Sequence, residues 1–187
     1  WTGSRTLTES GTYRNNKNAV RIVSDLLAEN YTVEVEEMFE DREFGSASPA
    51  NTPHRQVLVG SGDRGGGIRV ENYFAPEDQV TEKLLALVGQ AEDSIRFMAF
   101  SFTDDQLGKA VMGQDEAGLT VQGVFEERGA DLEYSEFGRM YLAEPRMDVR
   151  LDGNTYMMHH KVIILDNETV VLGSFNFSRS ADEKNDE

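Results

Sequence analysis

The stretch 156–176, YMMHHKVIILDNETVVLGSFN, restricts the fold of this chain more than any other. Two β-rich runs flank the turn signal DNET. Pleat alternation places Met157, His159, Lys161 and Ile163 on one face, with Met158, His160, Val162 and Ile164 on the other. A two-residue loop at Asn167 and Glu168 pairs Lys161 with Ser174 and His159 with Asn176. Cross-strand partners share a face about 5 Å apart, so an imidazole, an ammonium, a hydroxyl and a carboxamide are expected to converge. A one-residue slip of register would scatter them.

The hydrophobic period around this hairpin reads as α/β. Strands are expected at 18–23, 69–74, 94–102, 119–125 and 148–151, and helices at 25–40, 77–92, 104–112 and 135–143. Ser24 and Thr103 are the expected N-caps of the helices that follow them. The helix at 25–40 would bury Leu27, Tyr31, Val35, Met38 and Phe39. Residues 43–68 are rich in Gly, Ser and Pro and read as a linker, the glycine run 65–67 included. Phe97, Phe100 and Phe102 read as core, and His54 as a surface residue.

Composition narrows the function classes. With 187 residues and 39% hydrophobic side chains the chain has material for a real core. The absence of cysteine excludes disulfides, thiol catalysis and cysteine-ligated metal sites. Thirty-four acidic against eighteen basic side chains give a net charge of -16, which opposes a broad electrostatic grip on nucleic acid or on an anionic membrane. A local basic pocket remains compatible with that field. No apolar run reaches the roughly 18–20 residues of a membrane span, so no integral membrane segment is expected. The chain opens on Trp1 and reads as a piece of a longer protein, with its cellular location unknown.

The cluster on the hairpin suits phosphoryl transfer without a metal. A neutral imidazole is a nucleophile that can carry a phosphoryl group. A lysine supplies fixed positive charge for non-bridging oxygens, while Ser174 and Asn176 offer neutral hydrogen bonds. No metal-ligand spacing is visible and no cofactor is expected. The pattern H-x-K-x4-D-x6-G-S-x-N, filled by His159, Lys161, Asp166, Gly173, Ser174 and Asn176, resembles the HKD motif of the phospholipase D superfamily. Six fixed positions at about one in twenty each leave little room for chance. The resemblance implies a metal-independent phosphodiesterase working through a phosphohistidine. By it, His159 is the nucleophile or its general-acid counterpart, Lys161, Ser174 and Asn176 bind phosphate, and Asp166 shapes the turn away from the substrate. His160 fills the variable position and reads as structural.

Enzymes of that superfamily join two such halves, and a partial second copy exists at an offset of 170. Gly3 and Ser4 match Gly173 and Ser174, Thr8 matches Ser178, Ser10 matches Ser180 and Asn15 matches Asn185. Thr6 stands where Asn176 stands. An acidic residue follows the motif in the family, and Glu187 matches it by position, where the first copy has Lys17. The first H-x-K strand would precede Trp1. The segment 18–40 is expected to complete the second half, within one chain or by a swap between chains, with its strand beside 169–176.

The expected fold is therefore α/β, a phospholipase D-like mixed sheet flanked by helices. Residues 1–42 would belong to a first half, 43–68 to a linker and 69–187 to a second half. The expected function is hydrolysis of a phosphodiester, phospholipid or another, with an endonuclease as one alternative. A catalytically inactive half or phosphate-binding interaction module is the other. The expected partners are the phosphodiester, lipid or nucleic acid, and a second HKD half from the parent chain or a homodimer.

Overall fold

Apolar runs at 94–99, 120–125 and 161–165 supply the centre of a mixed five-stranded sheet: the first and last bury residues on both faces, while 120–125 buries alternate residues. The computed structural model describes residues 1–60 and 66–187. In chain order its elements are β1 (Thr2–Gly3), α1 (Glu9–Tyr13), β2 (Ala19–Val20), α2 (Asp25–Glu36), β3 (Gln56–Val59), β4 (Ile68–Glu71), α3 (Val80–Gln90) and β5 (Ser94–Ala99). They continue with α4 (Asp105–Glu116), β6 (Thr120–Phe125), α5 (Glu127–Ala130), α6 (Glu136–Tyr141), β7 (Asp148–Leu151), β8 (Lys161–Leu165), β9 (Thr169–Leu172) and α7 (Arg179–Glu183).

The chain divides into two compact units. One comprises Thr2–Val20 and Thr81–Arg179, the other Trp1, Arg21–Val80 and Ser180–Glu187. In the first unit the strand order is β7-β6-β5-β8-β9. Strands β5, β6 and β7 run parallel, whereas β8 lies antiparallel to β5 and to β9. Ile95, Phe97, Ala99, Val121, Phe125, Val149 and Ile163 form the buried layer of the strands, with Leu84, Val88, Leu107, Val111 and Met140 from helices. The Phe97 ring lies over Gly123 on the neighbouring strand, where any side chain would collide with it. Phe97 and Phe102 are core as expected, and Phe100 is half-buried.

Of the local expectations, one cap holds, one moves and one helix is shortened. Ser24 caps α2 by accepting the Leu27 N–H at 3.4 Å. The next cap falls one residue later than expected: the Asp104 carboxylate, and not Thr103, accepts the N–H groups of Gln106 and Leu107 at 3.0 and 2.8 Å. One carboxylate satisfying two free helix donors outcompetes a hydroxyl that can serve one. The helix at 77–92 starts at Val80, since Gln79 turns through φ 56°.

The hairpin register differs from the expected one by one residue. Leu165 pairs with Thr169 and Val162 with Leu172, so three residues occupy the turn. Asp166 and Asn167 both adopt left-handed φ, 54° and 55°, a conformation that short polar side chains tolerate. The cause lies far away in sequence. The Asp166 carboxylate accepts the N–H groups of Glu92, Asp93 and Ser94 at 2.8–3.0 Å, drawing Asp166 out of the strand. Strand β9 then stops at Leu172, and residues 173–176 leave the ladder.

The repeat at offset 170 is visible in local structure. Helices α1 and α7 occupy equivalent positions. Arg14 and Asn15 both donate to the Ser10 carbonyl at 3.0 Å, as Lys184 and Asn185 both donate to Ser180 at 3.1 Å. The strand expected at 18–23 is shorter and elsewhere than anticipated. Ala19–Val20 pairs with Thr2–Gly3, and among the described residues β9 has β8 as its ladder partner. Strand β1 takes up residues 19–20 as its partner, so this segment does not extend the sheet at 169–176.

In the second unit β3 and β4 form an antiparallel hairpin inside and beside the stretch expected as linker. Of the glycine run, Gly65 lies outside the described residues. Helix α2 buries Leu27 and Asn30, while Tyr31, Val35 and Phe39 are exposed, contrary to the expected face. Asn30 decides this. Its amide donates to the His54 carbonyl and to Asn72 at 2.9 Å, and its oxygen accepts the His54 N–H at 2.9 Å. His54 meets Glu29 at 2.9 Å.

Candidate active site

His159 precedes β8 at the end of the sheet where the parallel strands finish. Lys161 opens β8 opposite Ala99, and the His160 carbonyl accepts the Phe100 N–H at 2.8 Å. Lys161 is 3% exposed, with its ammonium 3.1 and 3.2 Å from the two ring nitrogens of His159. That ammonium also lies 4.7 Å from the centroid of the Phe100 ring, and the same ring packs 4.3 Å from the imidazole.

The other wall is the first copy's tail. The backbone carbonyl of Ser4 lies 3.1 Å from His159 Nδ1. A carbonyl only accepts, so this contact favours the tautomer with the proton on Nδ1 and the lone pair on Nε2. The His159 N–H donates to Asn16 at 2.8 Å, and the Asn16 N–H to Met157 at 2.9 Å. Asn154 fastens the same strap by donating to the Arg14 carbonyl at 3.1 Å and to the Asn16 side chain. Ser4 is buried. It donates from its hydroxyl to Asn18 Oδ1 at 3.0 Å, and that oxygen also meets His160 Nδ1 at 3.0 Å. His160 thus bonds to the strap through Asn18, as His159 does through Ser4. The site is a composite of both motif copies, and a match over the second copy's half of the chain decides the family. Residues 84–187 match the family model described as cardiolipin synthase, PLD-like domain.

The chain belongs to the phospholipase D superfamily.

Relatives agree with that placement. The chain is 30% identical over 119 residues to the phospholipase D of Rickettsia prowazekii, covering 63% of this chain and 57% of that protein. It is 31% identical over 111 residues to the mitochondrial cardiolipin hydrolase of Mus musculus, covering 59% and 49%. The chain spans about half the length of these curated relatives. Among solved structures, the phospholipase D family member Nuc from Salmonella typhimurium shares 37% identity over 60% of this chain and 74% of its own, with a TM-score of 0.53. NucT from Helicobacter pylori shares 25% identity over 61% and 78%, with a TM-score of 0.54.

The remaining motif residues of this phospholipase D-like chain are placed as follows. Asp166 sits at the opposite end of β8 from Lys161, and the Ser94, Asp93 and Glu92 N–H groups hold its carboxyl below the usual range. Ser174 is exposed. Asn176 is half-buried with its side-chain oxygen unpartnered. Its chain path is held outside the ladder, beside the segment that follows β5: Phe177 donates to Ser101 at 3.1 Å and accepts from Thr103 and Asp104 at 2.8 and 3.0 Å. Glu187 belongs to the other unit, where its backbone N–H and carbonyl both pair with Ala75.

Electrostatically the site is a neutral imidazole in a cationic setting. Burial, then the Lys161 charge, pushes His159 down to about 4. His160 is lowered for the same two reasons. Among the described residues no group of three or more His, Asp or Glu side chains is placed to hold a metal. No described helix is long and apolar enough to cross a membrane.

Residues without a signal in the motif complete the site. The buried carboxylate of Glu126 accepts the Met158 N–H at 2.6 Å, fixing the strand just before His159. Ser4 and Lys17 were traceable through the 170-residue repeat. Glu126, Asn16 and Phe100 had no signal, since their roles depend on contacts across the fold.

Proposed function

We propose that this chain carries the second half of a metal-independent phosphodiesterase in which His159 is the nucleophile. The observation that supports this most is the state of its ring: a basicity lowered to about 4, Nδ1–H held by the Ser4 carbonyl, and the Nε2 lone pair within reach of a buried ammonium. The Nε2 lone pair attacks phosphorus, and the bond to the leaving oxygen breaks, with Lys161 balancing charge on the non-bridging oxygens. A second histidine, from the parent chain or from a second copy, gives the leaving oxygen its proton. Water then attacks the phosphohistidine, passes a proton back to that second histidine, and breaks the N–P bond. So low a basicity suits His159 as nucleophile and not as acid. Ser174 and Asn176 serve as phosphate donors and Asp166 as the anchor of the hairpin. By the repeat, Glu187 would stand to the other histidine as Lys17 stands to His159.

Phospholipid is the first substrate reading, supported by relatives named phospholipase D and cardiolipin hydrolase. Nucleic acid is the second, supported by a specific observation. The strap Thr2–Val20 carries Arg5, Arg14 and Lys17 against the single acid Glu9, in a chain of net charge -16.

The test is hydrolysis of a chromogenic phosphodiester in EDTA by this chain and by His159→Ala, followed by cardiolipin micelles and single-stranded DNA. Activity that survives EDTA and is lost in the variant, with an acid-labile phosphoryl adduct on the wild-type chain, supports the reading. Equal activity of the two proteins would sink it. Phosphate binding with no hydrolysis would identify the inactive, phosphate-binding half.

A further inference from the structure

Lys17 and Thr6 depart together from the pattern of the second copy, which has Glu187 and Asn176 at those positions. In the fold the two departures meet: the Lys17 ammonium donates to the Thr6 hydroxyl at 2.7 Å. Residue 17 lies between Asn16, whose carbonyl holds the His159 N–H, and Asn18, whose side chain holds His160. Its charge is one of those that lower the basicity of His159.

Lys17 is half-buried along its stem while its hydrogen bond to Thr6 is exposed, and partial burial lowers its own basicity. Among the described residues it forms no ion pair, in a chain with thirty-four carboxylates for eighteen cations. One neutral hydrogen bond leaves two of its three N–H groups unspent. A cation held at that cost, without a counter-ion, is complementary to an anion that arrives from outside. The neighbouring Asn18 amide nitrogen is buried and unpartnered.

We propose that Lys17, steadied by Thr6, is a second phosphate-binding cation of this site, gripping a non-bridging oxygen of the substrate phosphate together with Lys161. The ammonium replaces the donor that the carboxamide of Asn176 supplies in the other copy. The inference rests on the phosphate-site part of the proposed function.

Inorganic phosphate is the probe, its affinity measured by calorimetry on the full chain, and the chromogenic diester is assayed in parallel. Lys17→Ala and Lys17→Met are expected to weaken phosphate binding about tenfold or more, the scale of one charge-assisted contact. Lys17→Arg is expected to stay within about threefold of wild type on the same scale. Thr6→Val should fall between them. In hydrolysis the loss should appear mainly in KM. Wild-type affinity in Lys17→Met, or no phosphate binding by the wild-type chain, overturns the proposal. If Lys17→Met binds like wild type while His159→Ala abolishes hydrolysis, Lys17 is acquitted and the phosphodiesterase stands. If binding depends on Lys17 yet no diester is cleaved, Lys17 stands and the phosphodiesterase falls.

Discussion

The carboxylate of Glu126, at the end of β6, accepts the backbone N–H of Met158, the residue before His159, at 2.6 Å. This bond stands in for a ladder where β8 has not yet begun. Glu126→Ala leaves that donor buried without a partner, costing about 1–3 kcal/mol, and frees the strand that aims the imidazole. Urea unfolding should register the loss, and diester turnover should drop about tenfold or more, as small displacements of a catalytic group do. Glu126→Gln keeps an acceptor and should retain most of the turnover. Equal turnover in both variants would remove Glu126 from positioning.

His159 should titrate near pH 4 because burial and Lys161 both disfavour its charged form. Its neutral form is favoured by folding. The stability this contributes is therefore complete above the ordinary value of 6.5 and lost as pH falls through about 4. On the nucleophile limb, hydrolysis should rise up to about pH 5 and then level. Lys161→Met removes a neighbouring charge, so the imidazole pKa should climb in an NMR titration. A midpoint unchanged by that substitution would contradict the assigned cause.

Glu136 should carry the opposite pH signature. It is fully buried at the start of α6, with Oε1 on Arg139 at 3.0 Å and Oε2 unpartnered over Gly108. Burial pushes its carboxyl up from 4.5 to about 7. Folding favours its protonated form, so its contribution is complete below 4.5 and disappears as pH rises to about 7. Melting curves of Glu136→Gln should lose this decline between those limits. A wild-type profile in the variant would place the titration on another group.

Gly123 should tolerate no side chain. A Cβ there enters the Phe97 ring, so Gly123→Ala is expected to destabilise by about 1–3 kcal/mol, the usual cost of overpacking. Phe97→Leu in the same chain should recover part of that loss in urea unfolding, because the two sites share one space. Additive losses would show that the ring moves aside.

Much of this was legible from side-chain order alone. The strands at 94–99, 120–125 and 161–165 follow their apolar period, because burial on a pleat rewards it directly. His159 and Lys161 stand two apart in sequence, one before β8 and one opening it, and the structure brings their nitrogens into contact. The hairpin register was not legible locally, since Asp166 is pulled into the turn by three donors more than seventy residues away. The buried face of α2 was misread for a similar reason: Asn30 outweighs the apolar stripe through partners at His54 and Asn72. The 170-residue echo located the strap's counterpart in α7 but not its seat against His159, which periodicity does not encode.

The seat of Ser4 against His159 joins positions 155 apart. On a ribosome adding roughly 5–20 residues per second, the strap leaves the tunnel on the order of ten seconds before its partner is made. Its composition suits that wait: between Thr2 and Asn18 the large hydrophobics are Leu7 and Tyr13, the rest being mostly hydroxyl, amide, glycine and cationic residues. During synthesis the site therefore cannot close until residue 159 has been made, and a chain interrupted before it has a strap with nothing to clasp.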